Sequence, residues 1–519
     1  MRGRSVFLVI VLVLCGVASW GVADVKPHAL FSDNMVLQRD TPLPVWGWAE
    51  PGEKVTVKLC GKEASAAADD KGKWMVKLDP LPAGGPFEMT VAGKNTITIK
   101  DVLIGEVWVG SGQSNMAMTV SRTANAEQDV AEAKYPQIRF FKVPMKQAVA
   151  PQEQCEGAWQ ACSPETAGGF SATAYFFALN LHQKLNVPVG ILQSAVGGTA
   201  AEAWTTREGF ESDPELKQII EQPEWKEIVA DFDKAVREYQ ETLKVWKEKM
   251  AELRKQGKLD ESKKRRPPSP KYRNAATLLY NGMIAPIVPY AIRGAIWYQG
   301  ENNAKGGRAY QYRKLLPAMI GSWRKVWGQG AFPFLFVQLP NYKAVQPEPG
   351  ESEWAVIRES FLQSLSTPNT GMAITIDIGE EKDIHPKNKR DVGDRLALWA
   401  RAKVYGENVV YCGPLYDSVK IEGDKIRIQF TQVGGGLDAK GGPLKQFAIA
   451  GEDKKFVWAD AKIDGETVVV SSDKVQKPVA VRYAWADNPL GCNLYNKAGL
   501  PASPFRTDTW PSVVAEEVK

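Results

Sequence analysis

The chain has 519 residues, more than three times the ~150 that a single domain commonly takes, so two or three domains are expected. Hydrophobic residues make up 44% and charged residues 24%, a balance that supplies a large buried core and excludes extensive disorder. The 65 Lys and Arg against 60 Asp and Glu leave a formal net charge of +5, too small and too dispersed to neutralise a polyanion, so nucleic acid is not an expected partner.

At the N-terminus, Arg2 and Arg4 precede an unbroken apolar run over residues 6–14 and small residues ending in Gly21-Val22-Ala23. This is the pattern of an export signal over 1–23, cleaved after Ala23. The run is too short to cross a bilayer, and no later stretch approaches ~20 apolar residues, so no membrane span is expected. Loss of residues 1–23, Arg2 and Arg4 among them, leaves 496 residues with a net charge of +3, expected to be secreted or periplasmic. Cys15 could mark a lipid anchor, but bulky Leu14 stands where a small residue would be expected.

Residues 24–100 show short β-rich runs at 35–37, 54–59, 74–78, 87–91 and 96–99, separated by turns such as Pro51-Gly52, and predict a small β-sandwich. From 101 onward, apolar strands alternate with amphipathic helices. Strands are expected at 106–109, 189–193, 294–297, 333–338 and 372–377, and helices at 172–185, 312–327, 353–365 and 390–404. That alternation is the signature of a parallel sheet covered on both faces, so residues 101–210 and 271–407 form one α/β, doubly wound domain.

A charged insertion at 211–270 interrupts it. Trp225, Val229, Phe232, Val236, Tyr239, Leu243, Trp246, Met250 and Leu253 recur at steps of four and three, which predicts one long amphipathic helix ending by Gly257 or soon after. Its apolar seam is expected to pack on its own domain or a returning helix in preference to a second chain. The cluster Lys263-Lys264-Arg265-Arg266 reads as a solvated turn. Residues 408–519 return to short strands at 425–430, 467–470 and 480–483, a second β-rich domain. No tandem repeat is present.

After the signal, Cys60, Cys155, Cys162, Cys412 and Cys492 remain, an odd number, so at least one is free or pairs with another chain. Cys155 with Cys162 is the pair to test first. With no C-x-x-C and only His28, His182 and His385 in the chain, neither a zinc site nor any other metal is expected.

In an open parallel sheet, ligands collect at the carboxyl ends of the strands. The first strand runs into Gly110-Ser111-Gly112-Gln113-Ser114-Asn115-Met116, whose glycines permit a turn that lifts a hydroxyl above the sheet edge and make Ser114 a candidate nucleophile. Serine needs a base at neutral pH, and the loop after the fifth strand supplies Asp383-Ile384-His385-Pro386. His28 in the outer β-domain and His182 inside a helix are poorly placed for that work. Acyl transfer also needs donors for the developing oxyanion. The second strand delivers Gly197-Gly198-Thr199 and the third Gln299-Gly300-Glu301-Asn302, so the Ser114 and Gly198 backbone amides and the Gln299 side chain form a three-donor set.

Each feature alone has a plain structural alternative. A Ser after a strand is commonly a turn or cap, a lone His a hydrogen-bonded structural residue, a Gly-Gly pair a tight loop, Gln299 a buried amide and Glu301 a capping carboxylate. Their joint occurrence at the ends of separate strands is what favours chemistry.

The blocks Gly112-Gln113-Ser114-Asn115-Met116, Gly197-Gly198-Thr199, Trp297-Tyr298-Gln299-Gly300-Glu301 and Asp383-Ile384-His385-Pro386 resemble those of the sialate O-acetylesterase family in the SGNH-hydrolase superfamily. The similarity continues more weakly to Cys492-Asn493-Leu494-Tyr495-Asn496, to Gly499-Leu500-Pro501-Ala502 and to Pro504-Phe505-Arg506-Thr507-Asp508, and so spans nearly the whole mature chain.

The resemblance implies a three-layer α/β hydrolase domain that removes O-acetyl groups from sugars by a serine mechanism, without metal or cofactor. Ser114 would be the nucleophile, His385 the general base and later acid, and Ser114, Gly198 and Gln299 the oxyanion hole, with Gln113, Asn115 and Glu301 toward the substrate. The superfamily places its orienting aspartate three residues before the histidine, where this chain has Lys382. Asp383, two before, or a backbone carbonyl would then hold the ring. The expected partner is an acetylated carbohydrate, O-acetylated sialic acid first and acetylxylan or another polysaccharide next. A non-catalytic glycan-binding protein using Trp204 and Trp297, and an assembly role for the long helix, are the readings from other classes.

Overall fold

A 17-residue strand, β1 (Thr96–Gly112), is shared by the N-terminal unit and the central sheet. Its burial alternates over residues 96–101 and is continuous from Val102 onward. The first half lies in an antiparallel layer with one solvated face and the second in the middle of a covered sheet. The boundary expected at 100/101 therefore falls inside a strand. The computed structural model describes residues 24–256, 267, 271–512 and 514. The expected signal at 1–23 and the basic cluster at 263–266 lie outside them.

Before β1, Gly84–Ala92 pairs antiparallel with its first half and with Lys54–Leu59, which in turn pairs with Lys62–Ala67. Lys26–Pro27, Leu43–Trp48 and Lys73–Leu78 form a separate three-stranded sheet. The strands Leu43–Trp48 and Lys62–Ala67 add to the expected runs.

After β1 come the short helix α1 (Ser114–Ala117), β2 (Ile138–Lys142), β3 (Trp159–Ala161), α2 (Ala172–Leu185), β4 (Val189–Ala195), α3 (Pro223–Lys255), β5 (Gly294–Tyr298), α4 (Gly307–Trp327), β6 (Phe334–Val337), α5 (Glu353–Ser364), β7 (Thr370–Ala373) and α6 (Arg390–Lys403). The strands stand in the order β3-β2-β4-β1-β5-β6-β7 within an 11-stranded sheet. All neighbours on this path are parallel except β3, which runs antiparallel to β2. The molecule is thus a mixed α/β protein with a large mixed sheet and flanking β-rich sheets. The expected sequence of strands lacked β2 and β3.

The chain fills one side of β1 with β2, β3 and β4, then crosses to the other with β5, β6 and β7. Open α/β sheets commonly place a ligand crevice at such a reversal, here the carboxyl end of β1. The register is flush there, since Gly112 pairs with Ala195 of β4 and with Tyr298 of β5. Helices α2 and α6 pack together, with no room for a Cβ on Gly393, which would come 2.6 Å from Phe176 Cβ. The core beside β5 is built on Trp297, with the rings of Trp204 and Trp323 standing edge-on to it at 6.1 and 6.0 Å.

The insertion forms α3, 33 residues long, preceded by Pro214–Glu221. Phe232 and Met250 of the expected stripe are buried, and Phe232 packs on the Tyr272 ring at 5.9 Å. No helix among the described residues is long and apolar enough to cross a membrane. Beyond α6 lie two four-stranded sheets and one two-stranded sheet. Fully buried Arg358 of α5 fastens this part to the centre, donating to the carbonyls of Leu339, Pro340, Ala486 and Asp487. All five described cysteines are free, Cys155 and Cys162 among them. Cys162 is buried with its Sγ on the Ala133 carbonyl.

Candidate active site

The turn after β1 depends on Gly112. Its φ is +139° and a Cβ there would stand 2.1 Å from the Tyr298 carbonyl oxygen, so only glycine lets β1 pass this close to the end of β5. Ser114 follows at the start of α1, half-buried. Loop 196–199 reaches the same place from β4. A Cβ on Gly197 would lie 3.2 Å from Ser114 Cβ, and Gly198 turns the chain with φ +70°.

His385 has further to travel. β7 is three strands from β1, about 14 Å at ~4.8 Å per strand, and the segment 374–389 spans that distance. At its far end His385 Nε2 lies 2.9 Å from Ser114 Oγ. Both side chains remain partly open to solvent, His385 by 34%. For Nε2 to accept the hydroxyl proton, Nδ1 must carry the ring hydrogen. Nδ1 faces Asp383 Oδ1 at 3.4 Å, within ion-pair range and long for a hydrogen bond. The same Asp383 oxygen accepts the His385 backbone N–H at 2.9 Å. Exposed Lys382, at the position three before His385, takes no part in this contact.

Gln299 is placed differently from expectation. Its Nε2 donates to the Thr199 carbonyl at 3.1 Å and to Asn303 Oδ1 at 2.7 Å, while its Oε1 accepts from Tyr312 Oη at 2.8 Å. Both amide hydrogens are engaged within the protein, so Gln299 as placed supports loop 196–199 from beneath. The backbone amides of Ser114 and Gly198 remain the available donors of the expected set.

The three residues expected toward substrate also point inward. Gln113 Oε1 accepts the Gly300 and Asn302 backbone amides at 3.4 and 3.3 Å, bracing that loop. Asn115 is fully buried. Its Nδ2 donates to Glu301 Oε1 and, at 3.0 Å, to the Ile384 carbonyl. Glu301 is buried behind it, and its Oε2 has no hydrogen-bond partner. Burial raises the Glu301 pKa above the ordinary carboxylate value, against the pull of Asn115 and Lys389. A polar residue beside a nucleophile reads as a substrate contact in sequence, but the tight turn aims Asn115 back into the protein.

Several participants had no clear sequence signal. Lys389, fully buried, donates to Asn115 Oδ1 at 2.7 Å and to the Pro386 carbonyl at 2.6 Å. Burial pushes its pKa down to about 7. Asn302 Nδ2 donates to the Gly198 carbonyl at 3.1 Å, and Asn303 links the Ala201 amide to Glu202. Among the described residues, no cluster of three or more His, Cys, Asp or Glu could hold a metal.

The family described as carbohydrate esterase, sialic acid-specific acetylesterase, matches residues 104–281 and 263–400, the segments that carry every residue of this site. A solved carbohydrate acetylesterase from Xanthomonas citri is similar over 94% of this chain and 100% of its own, with TM-score 0.80 and 40% identity. Fold and site thus define a carbohydrate esterase. The sialate O-acetylesterases of Rattus norvegicus and Mus musculus are 29% and 30% identical to it, over 97% and 96% of this chain and 98% and 97% of theirs. The chain belongs to the sialic acid-specific acetylesterase family of carbohydrate esterases.

Proposed function

We propose that the chain removes O-acetyl groups from sugars, O-acetylated sialic acid first among them, through an acetyl-enzyme on Ser114. The observation that carries this reading is the 2.9 Å contact between Ser114 Oγ and His385 Nε2 at the carboxyl end of β1. Ser114 Oγ attacks the acetyl carbonyl carbon and its proton passes to His385 Nε2. Negative charge grows on the carbonyl oxygen, within reach of the Ser114 and Gly198 backbone amides. The tetrahedral adduct collapses, the ester C–O bond breaks, and the sugar oxygen takes the proton from Nε2. Water then gives a proton to Nε2 and attacks the acetyl carbon, the bond from that carbon to Ser114 Oγ breaks, Oγ takes the proton back from Nε2, and the acid product leaves as acetate after losing its own proton to solvent. Asp383 stabilises the imidazolium formed at each stage.

An acetyl group is small, so the partly open site suffices, and this residue set needs no metal or cofactor. The packing of α2 with α6 and of α4 with α5 supports a three-layer arrangement of the SGNH kind. The reading extends to a secreted or periplasmic location, on the strength of the export pattern over 1–23. A polysaccharide substrate such as acetylxylan is the second reading, since the same serine and histidine would serve any acetylated sugar.

The test is acetate release from O-acetylated sialic acid and from acetylated xylan by wild type and Ser114→Ala. Release from either substrate that disappears in the variant supports the serine mechanism, and the faster substrate identifies the sugar. Undiminished release by Ser114→Ala removes the mechanism. Saturable glycan binding without release from any acetylated sugar would favour the non-catalytic reading.

A further inference from the structure

We propose that Lys389 and Asn115 are positioning residues that set the Ser114–His385 distance, by clamping the two carbonyls that flank the histidine to the residue next after the serine. The proposal rests on the roles given above to Ser114 and His385. Ile384 and Pro386 stand on either side of His385. The Ile384 carbonyl accepts from Asn115 Nδ2 at 3.0 Å, and the Pro386 carbonyl accepts from Lys389 Nζ at 2.6 Å. Lys389 Nζ also donates to Asn115 Oδ1 at 2.7 Å, which closes the circuit. Asn115 is bonded in sequence to Ser114, so the clamp connects nucleophile and base through a few rigid atoms.

The long β7–α6 segment needs such a device, since it crosses three strand spacings and ends in a partly exposed ring. A misplacement of ~1 Å between reacting atoms can cost on the order of 100-fold in rate. The clamp is also shielded from water, which strengthens its bonds. Lys389 is fully buried and packs over the Tyr298 ring at 5.3 Å. The carboxylates of Glu301, Glu380 and Asp383 face it. Burying an amine is costly, and here the depressed lysine pKa records that cost. The two bonds made by Nζ need two N–H groups, which the neutral amine and the ammonium both possess. The clamp therefore holds in either protonation state.

The test uses the full chain with Lys389→Met, which keeps the length and removes the donors, Asn115→Ser, and the double variant. Ser114→Ala serves as the reference for the chemistry. Each single variant is expected to lower kcat for 4-nitrophenyl acetate by 10- to 100-fold with KM within about twofold, and to slow fluorophosphonate labelling of Ser114 by the same factor. The double variant is expected to lose little more than the worse single one, because both substitutions open one circuit. Melting temperatures separate this from unfolding. If Lys389→Met does not fold, Asn115→Ser carries the same reading. A folded variant with wild-type kcat, or losses that multiply in the double variant, overturns the clamp. Retained activity in Ser114→Ala would instead overturn the underlying mechanism.

Discussion

Gln299 Nε2 donates to the Thr199 carbonyl at 3.1 Å, so the glutamine and the Gly197–Gly198 turn form one unit in which the side chain bears the loop. A residue that bears the loop and one that touches the oxyanion give different phenotypes on removal. Gln299→Leu is expected to lower kcat/KM by roughly tenfold and to destabilise the fold by about 2 kcal/mol, because Thr199, Asn303 and Tyr312 lose a buried partner. Steady-state kinetics with urea unfolding checks both. A loss of order 100- to 1,000-fold at unchanged stability is the mark of a direct oxyanion donor and would contradict the assignment.

Asp383 faces His385 Nδ1 at 3.4 Å with its side chain 45% exposed. Buried aspartates with short bonds to the imidazole are worth about 10⁴ in kcat. A solvent-screened carboxylate at this distance is worth less. Asp383→Asn is expected to reduce kcat by about ten- to a hundredfold, while His385→Ala reduces it by more than a thousandfold. Equal losses in the two variants would show that Asp383 contributes more than its geometry indicates.

His28 predicts a pH-dependent stability unrelated to catalysis. Its ring is buried against Trp46 at 5.1 Å, and burial lowers its pKa from 6.5 to about 4. The unfolded chain therefore binds a proton below pH 6.5 that the folded chain refuses until about pH 4. The folded state binds fewer protons in this window, so stability falls as pH falls, by about 3 kcal/mol from pH 7 to pH 4. His28→Asn keeps an acceptor for the Leu30 amide and removes the titration. The stability difference between wild type and variant is expected to shrink by that amount toward pH 4 in urea unfolding, and parallel curves would contradict it.

Elements with strong local signals were legible in the sequence. α2 begins and ends where expected, because Ser171 Oγ accepts the Ala174 amide and Asn186 takes the left-handed conformation that stops the helix. β2 was missed because Ile138-Arg139-Phe140-Phe141-Lys142 interrupts its apolar run with a charge. Arg139 is buried there only because its guanidinium finds Asp101 and the Pro136 carbonyl. The length of β1 was hidden because its two halves follow different burial rules.

At the site, Ser114 and His385 could be read from the loops at the strand ends. The direction of an amide could not. Sequence does not show whether Gln299 or Asn115 faces cleft or core, and only the packing behind them decides. Lys389 sits in the charged stretch Lys387-Asn388-Lys389-Arg390, which reads as solvated surface. Its burial arises from the turn after Pro386, a tertiary feature without a local pattern.

Passage of the acetyl group through Ser114 underlies every step proposed for this site. Mass mapping of peptides after rapid acid quench of the protein turning over 4-nitrophenyl acetate is its sharpest test. An acetyl-enzyme on Ser114 predicts acetyl on the peptide containing that residue, absent from Ser114→Ala. Acetyl on another residue, or full turnover by Ser114→Ala with no acetylated peptide, would contradict it.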